Sequence, residues 1–244
     1  MYKKSAEAPI PVYYKLQKSL RDEIEKGIWG PGESIPPERK LAEIHQVSIG
    51  TVKKALLNLV NEGYLSRVQG KGTFVSGTML RRQNLRYYRL LKDFRDEQVQ
   101  LDVNVIEIKK TAGSEFHNRY LKIRRNQDLY EIRRLFSVAK KPIIYSLSYL
   151  PRKMLPGLDE LPPKAFEKSL LFEMLEDKYG LTTVYNQKLF GAEAADKETA
   201  ELLEIKAGMP ILTVEMLSFT YADKPYEYRK SYCLSNERKI FVEI

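Results

Sequence analysis

Residues 34–77, SIPPERKLAEIHQVSIGTVKKALLNLVNEGYLSRVQGKGTFVSG, decide how this chain is read. The pattern predicts two helices with a tight break between them, then a short β-hairpin. Pro36 and Pro37 stand at the start of the first helix, where a missing N–H costs nothing because the first amides are unpaired anyway. Leu41, Ala42 and Ile44 supply its apolar side. After a two-residue break comes Val47, and Ser48 is a good N-cap for the second helix. In that helix Val52, Ala55, Leu56, Leu59 and Val60 fall on one stripe, and Gly63 is placed to end it. Gly50, Lys54, Leu57 and Asn61 lie opposite, flanked by Lys53 and Asn58. Residues 64–69 and 73–76 read as strands around the turn Gly70-Lys71-Gly72.

Two helices and a hairpin in this order imply a winged helix-turn-helix. The second helix can enter a DNA major groove, N-terminal end first. The hairpin is the wing: its glycines allow close approach to a sugar-phosphate edge, and Lys71 charges the tip. A small α/β domain whose lysines are merely solvated is the bland alternative.

Charge supports a polyanion partner. The chain has 244 residues and a formal charge of +9. Residues 1–77 carry +4, residues 78–98 carry +3 and residues 99–244 only +2. The excess sits on the helix-turn-helix and the segment after it, although a basic surface can serve solubility alone. Length allows two domains. No apolar run reaches the length of a membrane span, and the N-terminus MYKKSAEAPIP lacks the apolar core of a signal peptide. One cysteine excludes an internal disulfide framework. His45 and His117 have no cysteine or carboxylate at ligand spacing, which argues against zinc. A cytoplasmic protein without cofactor or metal is expected.

Outside the opening stretch, residues 1–10 read as a loose arm and 11–27 as a helix, with Val12, Leu16, Leu20 and Ile24 at four-residue spacing. Ile28 and Trp29 look like core. Residues 78–88 read as a linker in which Arg81, Arg82 and Arg86 touch phosphates, set the angle between domains, or are solvated. Residues 89–98 suggest a short helix, 99–110 a strand with one buried face, and 114–121 a helix capped by Ser114. Residues 129–138 and 143–150 form a hairpin about Lys140-Lys141-Pro142. After an irregular crossing marked by Pro151, Pro156-Gly157 and Pro162-Pro163 come a helix over 169–179 and a strand over 184–192. A helix capped by Asp196 follows, then a second hairpin of 211–221 and 226–234, and a last strand over 240–244. This order gives an α+β domain, an antiparallel sheet with helices on one side. The expected division is 1–77 winged helix-turn-helix, 78–88 linker and 89–244 second domain.

The opening stretch resembles the GntR family of bacterial transcription regulators. The residues that carry the resemblance begin with Pro11-Val12-Tyr13-Tyr14, Gly27-Ile28, Gly32 and Pro36 to Ala42. They continue through Val47-Ser48, Thr51-Val52-Lys53, Ala55-Leu56, Leu59, Glu62-Gly63 and Gly70 to Val75. The later chain resembles the UTRA domain of the HutC branch, related in fold to chorismate lyase. Its marks are Arg133-Arg134-Leu135, Pro142-Ile143, Ser148-Tyr149-Leu150-Pro151, Ser169-Leu170, Tyr179-Gly180, Ala195, Leu202-Leu203, Gly208-Met209-Pro210, Pro225-Tyr226-Glu227 and Tyr232.

The resemblance implies an operator-binding regulator, a homodimer on double-stranded DNA, whose second domain takes a small effector. By that resemblance Arg39 contacts guanine or phosphate, its alternative being an ion pair with Glu43. Ser48 and Thr51 bond phosphates, Lys53 stands where arginine is usual, and Lys54, Lys71 and Gly72 complete the surface. Ile49 replaces a usual arginine, so the operator is expected to differ from the family's half-site at that base pair. Gly50 costs the helix about 0.5–1 kcal/mol relative to alanine, which close approach to DNA would justify. In the effector domain Arg134, Ser169 and Glu227 are kept. Phe136 stands for a second arginine, Ser146 for an acid, Leu171 for a tyrosine and Cys233-Leu234 for a tyrosine-arginine pair. The resemblance then implies an effector less phosphorylated and more apolar than an amino-sugar phosphate. Arg134 could instead pair across its hairpin, and Tyr145, Tyr149 and Tyr228 could line the pocket or the core.

Two other functions compete. One is an enzyme on the chorismate-lyase-like fold with an accessory DNA-binding domain. No Ser-His-Asp set, metal cluster or phosphate loop in the sequence supports it. The other is a nonspecific nucleoid-binding protein.

Overall fold

Contacts within the chain gather it into two compact units, residues 1–79 and 80–244. The structure is a computed structural model and describes residues 11–76, 89–93, 95, 101–167, 171–236 and 238–241. The expected arm at 1–10, the linker at 78–88 and the effector residue Ser169 lie outside the described residues.

The first unit holds α1 (Val12–Glu25), α2 (Glu38–Ile44) and α3 (Ile49–Asn61), then β1 (Leu65–Val68) and β2 (Gly72–Val75). Leu16, Leu20 and Ile24 of α1 are buried along with Leu41 of α2 and Val52, Ala55, Leu56 and Leu59 of α3. The break between α2 and α3 is made by His45 and by Gln46, which takes φ 51°. Ser48 caps α3: its Oγ accepts from the Thr51 amide at 3.1 Å. The wing is a two-stranded sheet with Leu65 opposite Val75 and Val68 opposite Gly72. Its turn is Gln69-Gly70-Lys71, one residue earlier than expected, and Gly70 supplies the positive φ of 74° that the reversal requires. Three apolar expectations fail. Val12, at the first turn of α1, is 57% exposed; Ile44 is 55% exposed and Ile28 is 61% exposed, because Leu41 alone fills the contact of the short α2 and the chain turns outward after Gly27.

The second unit is built on one six-stranded antiparallel sheet in the order β4-β5-β6-β9-β8-β7. Its strands are β4 (Asp102–Thr111), β5 (Leu129–Val138), β6 (Lys141–Pro151), β7 (Tyr185–Ala194), β8 (Pro210–Thr220) and β9 (Lys224–Cys233). The expected helix over 89–98 is corrected in its first part. Arg89–Leu91 forms a strand, β3, paired with β10 (Lys239–Phe241), and Leu91 is buried. A three-residue segment gains more from that partner strand than from a helix too short to hold itself. The β5–β6 hairpin turns on Ala139 and Lys140, both at positive φ.

Helices cover both faces of the sheet, where one was expected. On one face α5 (Leu171–Tyr179) brings Leu171, Phe172 and Leu175 against Tyr130, Ile132, Phe136, Leu150 and Val214. On the other, α6 (Lys197–Leu202) brings Ala200 against Tyr145 and Ile211. On that same face α4 (Glu115–Tyr120) lies under Tyr149 and Tyr228. Alternation along a strand therefore sends both sets of side chains into a core, and the second set includes Tyr145 and Tyr228.

Candidate nucleic-acid interface and effector face

At the start of α3 the stripe Val52-Ala55-Leu56-Leu59 turns inward, which leaves the opposite edge outside. Ile49 is 42% exposed, Gly50 and Lys53 are exposed, and Thr51 is half-buried with its hydroxyl 2.8 Å from Ser48 Oγ. A Cβ built on Gly50 would meet only Ser48 Oγ at 3.8 Å. Packing within the domain therefore does not require glycine there. Lys54 reaches Tyr13, its ammonium 4.0 Å from the ring centroid. The recognition helix is held from behind by α1, where Gln17 Oε1 accepts from the Asn58 amide at 2.9 Å. Gln17 Nε2 in turn donates to Glu62 at 2.6 Å.

Between α2 and the wing runs an open cleft of about 580 Å³, lined by Arg39, Arg67, Lys71 and Gly72 among others. Arg39 is exposed and shows no ion pair among the described residues; Glu43 pairs with Lys40 at 3.5 Å instead. Arg67 is committed to Glu38 at 3.3 Å. Arg39, Lys53 and Lys71 thus remain as exposed cations around the free edge of α3. They suit phosphates and guanine edges, while the helix N-terminus adds its own positive field.

In the second unit the register places the predicted effector residues on one face. Arg134 of β5 lies opposite Ser146 of β6, which lies opposite Ser231 of β9. The next row is Ile132, Ser148, Arg229 and Met216, continued to Lys188 on β7. On the other side the row is apolar: Phe136, Ile144, Cys233 and Leu212. Arg134 is 0% exposed, and Arg229 and Glu227 are each 1% exposed. Arg134 is therefore no surface residue; its guanidinium lies 5.0 Å from the Phe136 ring centroid.

Arginine is seldom buried without a partner. Arg229 Nη2 donates to Glu227 in a short ion pair, and its Nε donates to Ser148 Oγ at 3.0 Å. Ser218 adds a donor to Glu227 at 3.3 Å. Burial, together with the nearby Arg229 charge, holds the Lys188 ammonium below its ordinary pKa. Burial pushes the Cys233 thiol up to about 12, so it stays protonated and apolar. The hydroxyls of Ser146 and Ser231 are buried and have no hydrogen-bond partner among the described residues. Such an omission costs about 1–3 kcal/mol per group.

Arg134, Phe136, Ser146 and Glu227, expected from the sequence to meet an effector, share this face. Arg229, Ser148, Ser231 and Lys188 join them there and were not expected from the sequence. The signal was present in β9, where Glu227, Arg229 and Ser231 recur at a spacing of two while Tyr228, Lys230 and Tyr232 occupy the alternate positions. Tyr145, Tyr149 and Tyr228 face the other way, so they belong to the core beneath α4 and α6.

Comparison with known proteins finds two family models along the chain. The family model "Bacterial regulatory proteins, gntR family" matches residues 12–75, and the "UTRA domain" model matches residues 96–238. The chain is 26% identical over 236 residues to the "Probable fructoselysine utilization operon transcriptional repressor" of Escherichia coli (strain K12), covering 95% of this chain and 94% of that one. It is 26% identical over 225 residues to the HTH-type transcriptional repressor NagR of Bacillus subtilis (strain 168), covering 92% and 91%. Its fold is similar to the crystal structure of PhnF from Mycobacterium smegmatis, with a TM-score of 0.55 at 17% identity over 94% of this chain and 98% of that one. With a winged helix whose reading edge is free and an antiparallel domain with a buried polar face, the chain belongs to the gntR family of bacterial transcription regulators, as a DNA-binding member that carries a UTRA domain.

Proposed function

We propose that this regulator is a cytoplasmic repressor of the HutC type that binds a two-fold operator as a homodimer. A metabolite held on the Arg134 face of the second domain controls it. The observation that carries the reading is the unobstructed start of α3, where Ser48, Ile49, Gly50 and Lys53 stand at the surface. Two half-sites need two such helices related by symmetry. Relatives named as repressors, one of them of a nutrient-utilisation operon, support repression under metabolite control. A coupling of about 1–3 kcal/mol between effector and DNA changes operator occupancy about 5- to 150-fold, ample for a switch.

Two features support the effector reading. One arginine of the face, Arg229, already has Glu227, and the Phe136 row is apolar. Both support an effector less phosphorylated and more apolar than an amino-sugar phosphate. Selection of bound DNA from a random pool tests the function. A single enriched inverted repeat is expected, and recovery of DNA without sequence preference would return the chain to the nonspecific class. A thermal-shift screen of metabolites on the same protein then seeks the compound that alters binding to that repeat.

A further inference from the structure

We propose that the strand pair β3–β10 is a clamp on the segment that leads out of the second unit toward the winged helix, and that it sets the half-site spacing the protein accepts. The inference rests on reading the protein as a homodimer on a two-fold operator, and goes further by naming the element that measures the distance between half-sites. Leu91 lies opposite Lys239, Leu90 opposite Ile240 and Arg89 opposite Phe241. Leu91 is 4% exposed, and Ile240 packs against the core that holds Ile132, Phe136 and Val214. Residues 234–238 alone separate β10 from Cys233 at the end of β9, a strand in the middle of the six-stranded sheet. The Leu234 amide donates to the Ile143 carbonyl at 2.9 Å, so this short connection is itself fastened to the sheet. The sheet therefore carries β10 in place, and residues 89–91 dock on a strand that is already ordered.

Chain length turns the clamp into a ruler. At the other end the Ser76 amide donates to the Tyr64 carbonyl at 2.9 Å, which ties Ser76 to the wing. Residues 77–88 lie between Ser76 and Arg89, and a chain of that length spans at most about 45 Å. Without the pair, the next described side chain packed on the core of the second unit is that of Leu101, and the limit rises to about 90 Å. Half-sites one helical turn apart are separated by about 34–36 Å, so the added reach admits a half-site one turn further away. It also dilutes the second winged helix about threefold around its own half-site, because effective concentration falls roughly as the −3/2 power of tether length.

Three duplexes are the probes: the inverted repeat selected from a random pool, the same repeat with about one helical turn of DNA inserted between its half-sites, and a single half-site. The full chain is compared with a chain ending at Arg238, which lacks β10, and with full-length Leu91→Asp, which puts a charge at the buried position of β3. The insertion is expected to weaken binding of the full chain about tenfold or more. In both variants this penalty is expected to shrink about threefold and affinity for the original repeat to fall about threefold, while half-site binding and dimerisation stay as they are. A variant that loses the melting transition of its second unit leaves the decision to the other one. The proposal is overturned if the variants keep the insertion penalty of the full chain, if repeat and half-site binding weaken together, or if both variants become monomers or unfold. A full chain that binds the repeat no more tightly than the half-site removes the dimer reading and the clamp with it. A full chain that prefers the repeat, matched in every duplex by both variants, removes the clamp alone.

Discussion

Gln17 of α1 holds Asn58 of the recognition helix from behind, its side-chain oxygen accepting from the Asn58 amide at 2.9 Å while its nitrogen donates to Glu62 at 2.6 Å. Gln17 is 3% exposed, so both ends of one buried amide are spent on fixing α3 against α1. Gln17→Leu leaves Asn58 without that acceptor, and the first unit is expected to lose about 1–3 kcal/mol. Denaturant unfolding of the full chain, followed by a probe in the first unit, checks this. A stability within 0.5 kcal/mol of the parent, about the level of a neutral surface change, would count against it.

Ile49 stands exposed at the start of α3. Ile49→Arg is expected to move the preferred operator toward guanine at one position in each half-site, because a guanidinium fork reads the O6 and N7 edge. The change is worth about 1–3 kcal/mol of discrimination per contact. Selection of bound DNA with both proteins reads it directly, and identical enriched sequences would refute the assignment.

Arg39 and Lys53 are both exposed cations but should behave differently. Arg39→Ala should weaken discrimination between operator and random DNA. Lys53→Ala should weaken binding to both about equally and reduce the slope of log K against log salt by about 1. Titrations at a series of salt concentrations separate the two.

His117 stacks on Tyr149 at 3.7 Å between ring centroids, and burial lowers its pKa from 6.5, only partly opposed by the charge of Glu131. A depressed folded value means that the unfolded chain takes up the proton first. The His117 contribution to stability is therefore complete above pH 6.5 and is lost progressively as pH falls through that value toward the lower, folded one. His117→Phe keeps a ring over Tyr149 and should flatten the stability profile on the acid side. Melting curves across this range would show an unchanged slope if the imidazole were irrelevant.

Glu227 and Arg229 form an ion pair that is almost wholly buried. Glu227→Gln strips the guanidinium of its carboxylate and should cost about 3–5 kcal/mol. Replacing both, as Glu227→Leu with Arg229→Met, should cost less, since no buried charge is left uncompensated. Chemical denaturation of the two variants orders them, and a double replacement worse than the single would reverse the interpretation.

Much of the fold could be read from local chemistry. Ser48 and Asp196 sit at helix starts and accept the amides that capping requires. Gly70 gives the wing its turn, and the order of strands in the second unit follows from alternation and turn residues. What escaped was contact between distant segments. Nothing within residues 89–98 shows that Arg89–Leu91 will find Lys239–Phe241. The spacing of Ile44 fits the apolar side of its helix, yet that helix is too short to bury more than Leu41. On the Arg134 face, Glu227, Arg229 and Ser231 alternate with Tyr228, Lys230 and Tyr232, and hydropathy sends the two tyrosines inward. Because both faces of the sheet are covered, the polar set is buried too, and only the register across β5, β6 and β9 brings Arg134 to the two serines.

The open space beside the Gly50 Cα, together with the exposure of Ile49, means that packing within the domain constrains neither position tightly. On the proposed reading of α3, codon changes there retune which promoters are recognised while the scaffold stays intact. Paralogues that arise by duplication can thus acquire separate regulons in single steps, and an engineer can retarget this protein without first having to restabilise it.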